Sequence, residues 1–237
     1  MRLCPNNKNS KENWDAYFQG EWERRNGRLQ TRLFARYFLE TVRLPKSAHT
    51  LIDVGCAMGD GLPEIAHHYK HLQLHGCDIS PRAIKQARQD YGHIAAFHQW
   101  GFEDIEGDFD IIYCSNTLEH FTQYLDIARA LLDHCQWLYI LVPFRERVGD
   151  RALTPQHDQW HVASFGEGSF DALVTECRAQ GIRTWLHSCP GAWSTHEGIQ
   201  LRWRRAIWQT ACKLRHKSFP AVPEKMQIFY ELEAVRW

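Results

Sequence analysis

The chain begins its regular structure with residues 12–44, where apolar side chains recur at helical spacing: Trp14, Tyr17 and Phe18, then Leu29, Leu33, Phe34, Tyr37 and Phe38. Pro45 closes this run. Beyond it, short apolar stretches alternate with amphipathic ones. The pattern predicts strands over residues 51–54, 72–77, 94–98, 109–114 and 137–142, with helices over 63–71, 81–90 and 124–135 between them. Ser80 and Pro81 fit the N-cap and first position of the helix they open. A helix over 170–180 and strands over 182–187 and 227–235 complete the predicted order.

Strands that alternate with helices in this way imply βαβ crossovers. The expected fold is therefore α/β: a doubly wound, mostly parallel seven-stranded sheet with helices on both faces. Ligands of such sheets bind beyond the carboxyl ends of the strands, so function should be sought at the strand-to-loop junctions. Residues 1–45 read as an amino-terminal helical cap and 46–237 as the catalytic domain. Two stretches exceed the roughly 2–6 residues of an ordinary connection: 143–168 after the fifth strand, and 189–226 between the last two. Both are expected to serve as substrate-binding insertions.

Composition narrows the class. Hydrophobic residues at 44% and charged residues at 24% exclude a disordered chain. Twenty-eight basic residues balance twenty-eight acidic ones, so no general attraction to polyanions is expected and nucleic acid is a poor candidate partner. No apolar run approaches the roughly 20 residues of a membrane span, and the polar start is no secretory leader. Eight cysteines fall singly, without a C-x-x-C pair, which suits a reduced, cytoplasmic protein without a disulfide framework or zinc knuckle.

The first crossover carries the most specific signal. Residues 51–61, Leu-Ile-Asp-Val-Gly-Cys-Ala-Met-Gly-Asp-Gly, are a strand followed by a glycine-rich turn and a helix start. The G-x-G-x-x-G spacing of nicotinamide sites is absent. Asp53 through Gly59 instead resembles the D-x-G-x-G-x-G motif of class I, Rossmann-like S-adenosylmethionine-dependent methyltransferases, with Ala57 in place of the middle glycine. Ser115-Asn116-Thr117-Leu118-Glu119-His120 further resembles the group of small-molecule methyltransferases with an L-E-H motif after strand four.

The resemblance covers residues 50–143 best and implies S-adenosylmethionine as cofactor. Asp53, Gly55, Cys56, Ala57 and Gly59 would line its amino-acid and ribose side. Asp78, with Ile79 beside it, would accept the ribose hydroxyls. Phe102 and Glu103 would lie by the adenine, and Ser115 and Asn116 by the methionine end. Trp14 and Tyr17 would cover the cofactor from the amino-terminal helix.

Methyl transfer to a hydroxyl needs a base, because an alcohol is a poor nucleophile until its proton leaves. Histidine is the usual choice near neutral pH. Glu119 and His120 lie at the carboxyl end of strand four, and His157, Asp158 and His161 in the first insertion; His161 is the first candidate base, with His157 and His120 next. Bracing of the loops is the competing structural role for Glu119 and the histidines. Asn116-x-x-Glu119-His120 with His161 also resembles the E-x-x-E-H…H ligand set of small-RNA and ubiquinone-pathway O-methyltransferases. A divalent metal is thus an alternative, weakened by the neutral Asn116 and not favoured.

The second insertion supplies the clue to the acceptor. Residues 198–219 contain six basic side chains and no carboxylate, and Arg204, Arg205 and Trp208 would form a basic, aromatic strip. Such a strip suits an anionic acceptor held by arginine forks. It also suits peripheral contact with the inner face of an anionic membrane. The reading is a cytoplasmic O-methyltransferase of a small or glycan-type acceptor, such as a sugar of a bacterial surface polysaccharide. A metal-dependent enzyme acting on RNA ends and a non-catalytic cofactor-binding protein are the alternatives.

Overall fold

A computed structural model of the protein describes residues 9–145, 147–148, 151–152, 160–188 and 226–235. The second insertion, with Arg204, Arg205 and Trp208, lies outside the described residues, as do His157 and Asp158.

A seven-stranded sheet forms the centre. Its strands are β1 (Thr50–Val54), β2 (Gln73–Cys77), β3 (Ala95–His98), β4 (Phe109–Ser115), β5 (Cys135–Pro143), β8 (Ala179–Ser188) and β9 (Met226–Ala234), in the spatial order β3-β2-β1-β4-β5-β9-β8. A separate hairpin of β6 (Arg147–Val148) and β7 (Arg151–Ala152) follows β5. The first five sheet strands pair in parallel, and β9 runs antiparallel to both β5 and β8. The order reverses at β1, so the crevice between the exits of β1 and β4 is where such a sheet binds ligands.

Alternating side chains of the buried strands feed two cores, as a period of two requires. Ile111, Tyr113, Tyr139 and Leu141 face one core, with Phe34, Tyr37 and Phe38 of α3 (Gly27–Thr41), Leu62 and Ile65 of α4 (Leu62–His68), and Ile84 and Ala87 of α5 (Pro81–Tyr91). Ile112, Cys114, Leu138, Ile140 and Val142 face the other, against Ile127, Ala128 and Leu131 of α6 (Tyr124–Leu132). Phe38 stacks on Tyr113 at 4.4 Å, which fixes α3 on the sheet. The cysteines at 56, 77, 114 and 135 are buried and form no disulfide, as suits small apolar fillers.

The expected cap at Ser80 is present, its hydroxyl accepting from Ala83 N–H at 3.1 Å. One expected element is shorter than its pattern suggests. The helix placed over 170–180 is a single short turn, α7 (Asp171–Thr175), and Ala179 already belongs to β8. Cys177 adopts φ +57, a left-handed conformation that ends a helix. Beyond Leu173 no apolar side chain is buried until Ala179, so nothing anchors a second turn.

Candidate active site

The glycine turn is built by contacts that exclude larger side chains. Gly55 and Gly59 both have φ +78. A Cβ on Gly55 would stand 2.3 Å from the Thr117 hydroxyl, and one on Gly59 2.7 Å from the Phe97 ring. The turn is pinned to the exit of β2, because Gly55 N–H and Cys56 N–H both donate to the Cys77 carbonyl at 2.9 Å. Asp60, 1% exposed, fastens it to α3 and α5. Its carboxylate accepts from Arg28 Nε at 3.0 Å and from the Tyr91 hydroxyl at 2.7 Å.

Ala57 takes φ +51, so the residue in the middle-glycine position adopts a glycine-like backbone. That conformation costs an L-residue roughly 1–2 kcal/mol. Its geometry serves Asp78: Ala57 N–H donates to one carboxylate oxygen at 3.1 Å, and Ser80 N–H to the other at 2.9 Å. Asp78 thus joins the turns after β1 and β2. Burial pushes its carboxyl up to about 6, against the two N–H groups that favour the charged form. Asp53 lies below, 3% exposed, and its carboxyl is pushed up to about 7 by burial and by the charge of Asp78.

Ile79 and the 3₁₀ turn Phe102–Asp104 border the same opening. The Ile79 side chain lies against Gly101, and Phe102 packs edge-on against Phe121 at 5.2 Å. On the other side of the crevice, β4 ends at Ser115, and Asn116 turns the chain at φ +49, its amide donating to the Ser115 hydroxyl. Thr117 then presses on Gly55, which sets the following 3₁₀ turn, Leu118–His120, beside the glycine turn.

Two of the histidines singled out in the sequence meet in this turn's neighbourhood. Glu119 is 1% exposed and His120 8%. The Glu119 carbonyl accepts from Val162 N–H at 2.8 Å and Ala163 N–H at 3.1 Å, which folds the end of the first insertion back onto β4. The rings of His120 and His161 are 5.0 Å apart. One potential ligand atom from each of Glu119, His120 and His161 lies within 4.8 Å of the other two. His120 Nδ1 is 2.8 Å from the Trp160 carbonyl, so that nitrogen carries a proton and donates it there.

Helix α1 (Lys11–Tyr17) roofs both ends of the crevice. Trp14 packs edge-on against His120 at 4.9 Å and Trp160 at 5.0 Å, and Tyr17 lies 5.6 Å from Trp160. Phe18 shares a small cluster with Ala57, Met58 and Ala83. Asp15 accepts from the Ser80 hydroxyl at 2.7 Å and from Arg82 N–H at 3.0 Å. Asn9 donates to the carbonyls of His120 and Trp160. Asp15, Asn9 and Trp160 are site residues that no sequence expectation named. Trp160 stands beside His161 and Asp15 between Trp14 and Tyr17, in segments already marked; Asn9 carries no pattern that marks it.

A sheet of this order, with a glycine turn after β1 and an acid after β2, defines an α/β domain that grips a nucleoside-bearing cofactor. Residues 52–138 match the family model described as a methyltransferase domain. The chain has the class I, Rossmann-like fold of the S-adenosylmethionine-dependent methyltransferases, enzymes whose cofactor is S-adenosylmethionine. Among curated proteins, none matches the chain.

Solved structures of similar fold include the plantazolicin methyltransferase BpumL bound to a monoazolic desmethylPZN analog and SAH (17% identity, 93% of this chain and 90% of that one, TM-score 0.57). Magnesium protoporphyrin IX methyltransferase from Synechocystis PCC 6803, bound to SAM, shares 14% identity over 99% of this chain and 100% of its own, with a TM-score of 0.56. Phosphoethanolamine N-methyltransferase 2 of Haemonchus contortus shares 12% identity over 96% of this chain and 60% of its own, with a TM-score of 0.63. The acceptors in these structures differ widely, so the shared fold leaves the acceptor open. No helix among the described residues is long and apolar enough to cross a membrane.

The crevice fits this cofactor. The left-handed turn at 55–59 lets the backbone approach a ligand without a Cβ in the way at Gly55 and Gly59. The Asp78 carboxylate offers acceptor capacity for a pair of ribose hydroxyls.

Proposed function

We propose that the protein is an O-methyltransferase that modifies a hydroxyl of a small or glycan-type acceptor. The cofactor supplies a methyl group on a positively charged sulfur. Asp78 holds the ribose diol, with Ile79, Phe102 and Glu103 around the adenine. Asp53, Gly55, Cys56, Ala57 and Gly59 shape the floor, Ser115 and Asn116 face the methionine end, and Trp14 and Tyr17 close the top.

The observation that carries the reading is the gathering of Glu119, His120 and His161 at the turn that leans on Gly55. His161 would take the proton of a hydroxyl brought there, and the oxygen would accept the methyl group that the cofactor's sulfonium would supply, the cofactor leaving as a neutral thioether. Holding the acceptor in line supplies roughly 7–11 kcal/mol of the barrier, and the base about 10²–10⁴-fold in rate. His120 is oriented by the Trp160 carbonyl and backs His161, while Glu119 stabilises the imidazolium that forms. His157 belongs to the same insertion and is the further candidate for this work.

The basic strip with Arg204, Arg205 and Trp208 supports an anionic acceptor, such as an acidic sugar of a surface polysaccharide. A cytoplasmic enzyme touching the inner membrane face through residues 198–219 suits an acceptor of that kind. The test is a screen with isotopically labelled methyl donor over acidic sugars, glycan fragments, phenols, amines and short RNA. Label in an ether or ester oxygen of an anionic acceptor, reduced in Arg204→Ala/Arg205→Ala, is the expected result. Transfer confined to nitrogen or to RNA overturns it.

A further inference from the structure

We propose that Asn9 is a positioning residue for methyl transfer: its side-chain amide clamps the turn after β4 to the end of the first insertion and so fixes the mutual placement of His120 and His161. The catalytic consequence rests on the reading of His161 as the base; the clamp itself does not. Asn9 is 3% exposed. Its Nδ2 donates to the His120 carbonyl at 3.0 Å and to the Trp160 carbonyl at 2.8 Å. An amide nitrogen carries two hydrogens, so one such side chain can serve two carbonyls at once. Both partners are acceptors, so the nitrogen and not the amide oxygen must face them.

The two carbonyls belong to peptides that place the imidazoles. The Trp160 carbonyl lies in the peptide bond that leads into His161. A peptide is planar, so holding its oxygen fixes where the His161 backbone starts. The same oxygen accepts from His120 Nδ1 at 2.8 Å. Asn9 and the His120 ring thus share one anchor. The rings of His120 and His161 stand 5.0 Å apart, edge to face. Val162 N–H and Ala163 N–H, bonded to the Glu119 carbonyl, join the same two segments. Asn9 adds a hold at His120 itself and at the residue before His161.

Asn9 also ties this centre to the roof. It immediately precedes Ser10, the N-cap of α1, whose hydroxyl accepts from Asn13 N–H at 3.2 Å. Further along α1, Asp15 accepts from the Ser80 hydroxyl, and Ser80 N–H donates to Asp78. The helix is therefore tethered to the histidines at its start and to the turn after β2 at Asp15. Loss of the Asn9 donors leaves the second tether in place, so cofactor affinity should hold while the geometry of transfer suffers. A misplacement of about 1 Å can cost about 10²-fold in rate.

The experiment compares the full chain with its Asn9→Asp variant, which keeps the volume of the side chain and loses both donors. Imidazole nitrogen NMR is run at about pH 8, where a free imidazole is neutral. It is expected to show His120 protonated at Nδ1 in the wild type and to lose that signature in Asn9→Asp. SAH affinity should stay within about twofold, while kcat on the acidic sugar labelled in the acceptor screen should fall about 10–10²-fold. In a His161→Ala background, Asn9→Asp should lower kcat no further, because groups that act as a unit are not additive. Asn9→Ala carries the same expectations where Asn9→Asp fails to fold by circular dichroism. An unchanged His120 signature in the folded variant, as for a side chain that only fills space, overturns the proposal. So does wild-type kcat in that variant, or a full additional loss on top of His161→Ala. Wild-type turnover in His161→Ala sinks the reading of the base instead, and the His120 signature then still decides the clamp.

Discussion

The carboxylate of Asp15 accepts a 2.7 Å hydrogen bond from the hydroxyl of Ser80, sixty-five residues away. Ser80 N–H is bonded to Asp78 at 2.9 Å, and Asp78 to Ala57 N–H at 3.1 Å. A continuous polar chain therefore runs from the aromatic roof to the glycine turn. The position of α1 and that of the Asp78 carboxylate, proposed to hold the ribose, are thus tied by the same set of bonds.

Breaking that chain at its outer end should loosen the cofactor. A net hydrogen bond contributes about 0.5–1.5 kcal/mol, so Asp15→Ala is expected to weaken SAH binding by about threefold to tenfold. Calorimetry checks it. An unchanged affinity would mean that the roof and the ribose site are independent.

Ala57 should be improvable. Its φ of +51 is strained for alanine and natural for glycine. Ala57→Gly is expected to raise stability by up to about 1 kcal/mol, the unfolded-state entropy of glycine offsetting part of the relief. Gly55→Ala should destabilise by more than that, since its Cβ would collide with Thr117 as well. Chemical denaturation of the two variants compares them directly, and a destabilised Ala57→Gly would contradict the strain.

The two buried acids set a pH dependence. Asp53 and Asp78 have carboxyls raised to about 7 and about 6, so between roughly pH 4 and 7 the folded chain binds more protons than the unfolded one. Their contribution to stability is therefore full below about pH 4 and is lost as pH rises through 6 and 7. Asp53→Asn should flatten that decline in denaturation curves. Ribose hydroxyls donate to the ionised form of Asp78, so SAH affinity should run the opposite way and fall below about pH 6, by at most about tenfold per unit. A pH-independent affinity would remove Asp78 from the ribose site.

Turnover should separate from cofactor binding at the histidines. His161→Ala is expected to lower kcat about 10²–10⁴-fold on the true acceptor while SAH affinity stays within about twofold. Wild-type turnover in both His161→Ala and His120→Ala would remove the centre from the chemistry.

Periodicity located every strand of the sheet to within a few residues, most clearly β4 and β5, whose burial between two helical layers needs a nearly continuous apolar run. It misjudged the helix after Phe170 because that segment has polar positions on every face after Leu173, and a left-handed residue, Cys177, is not visible as such in a sequence. The turn at 53–59 and the acid at 78 were legible for a local reason. Only glycine tolerates φ near +78 with neighbours 2.3 and 2.7 Å from a would-be Cβ, so the chain must spell that turn in glycines.

Local rules thus reach the sheet, its crossovers and the glycine turn, since each depends on residues close together along the chain. The cluster around Glu119 depends on a longer reach. Glu119 and His120 meet His161 because Val162 and Ala163 hydrogen-bond back to the Glu119 carbonyl. Trp14 covers them because Asp15 finds Ser80. Those are backbone and side-chain bonds between segments tens of residues apart; a motif resemblance can group Glu119 and His120 with His161, but the bonds that hold them together exist only in the packed tertiary structure.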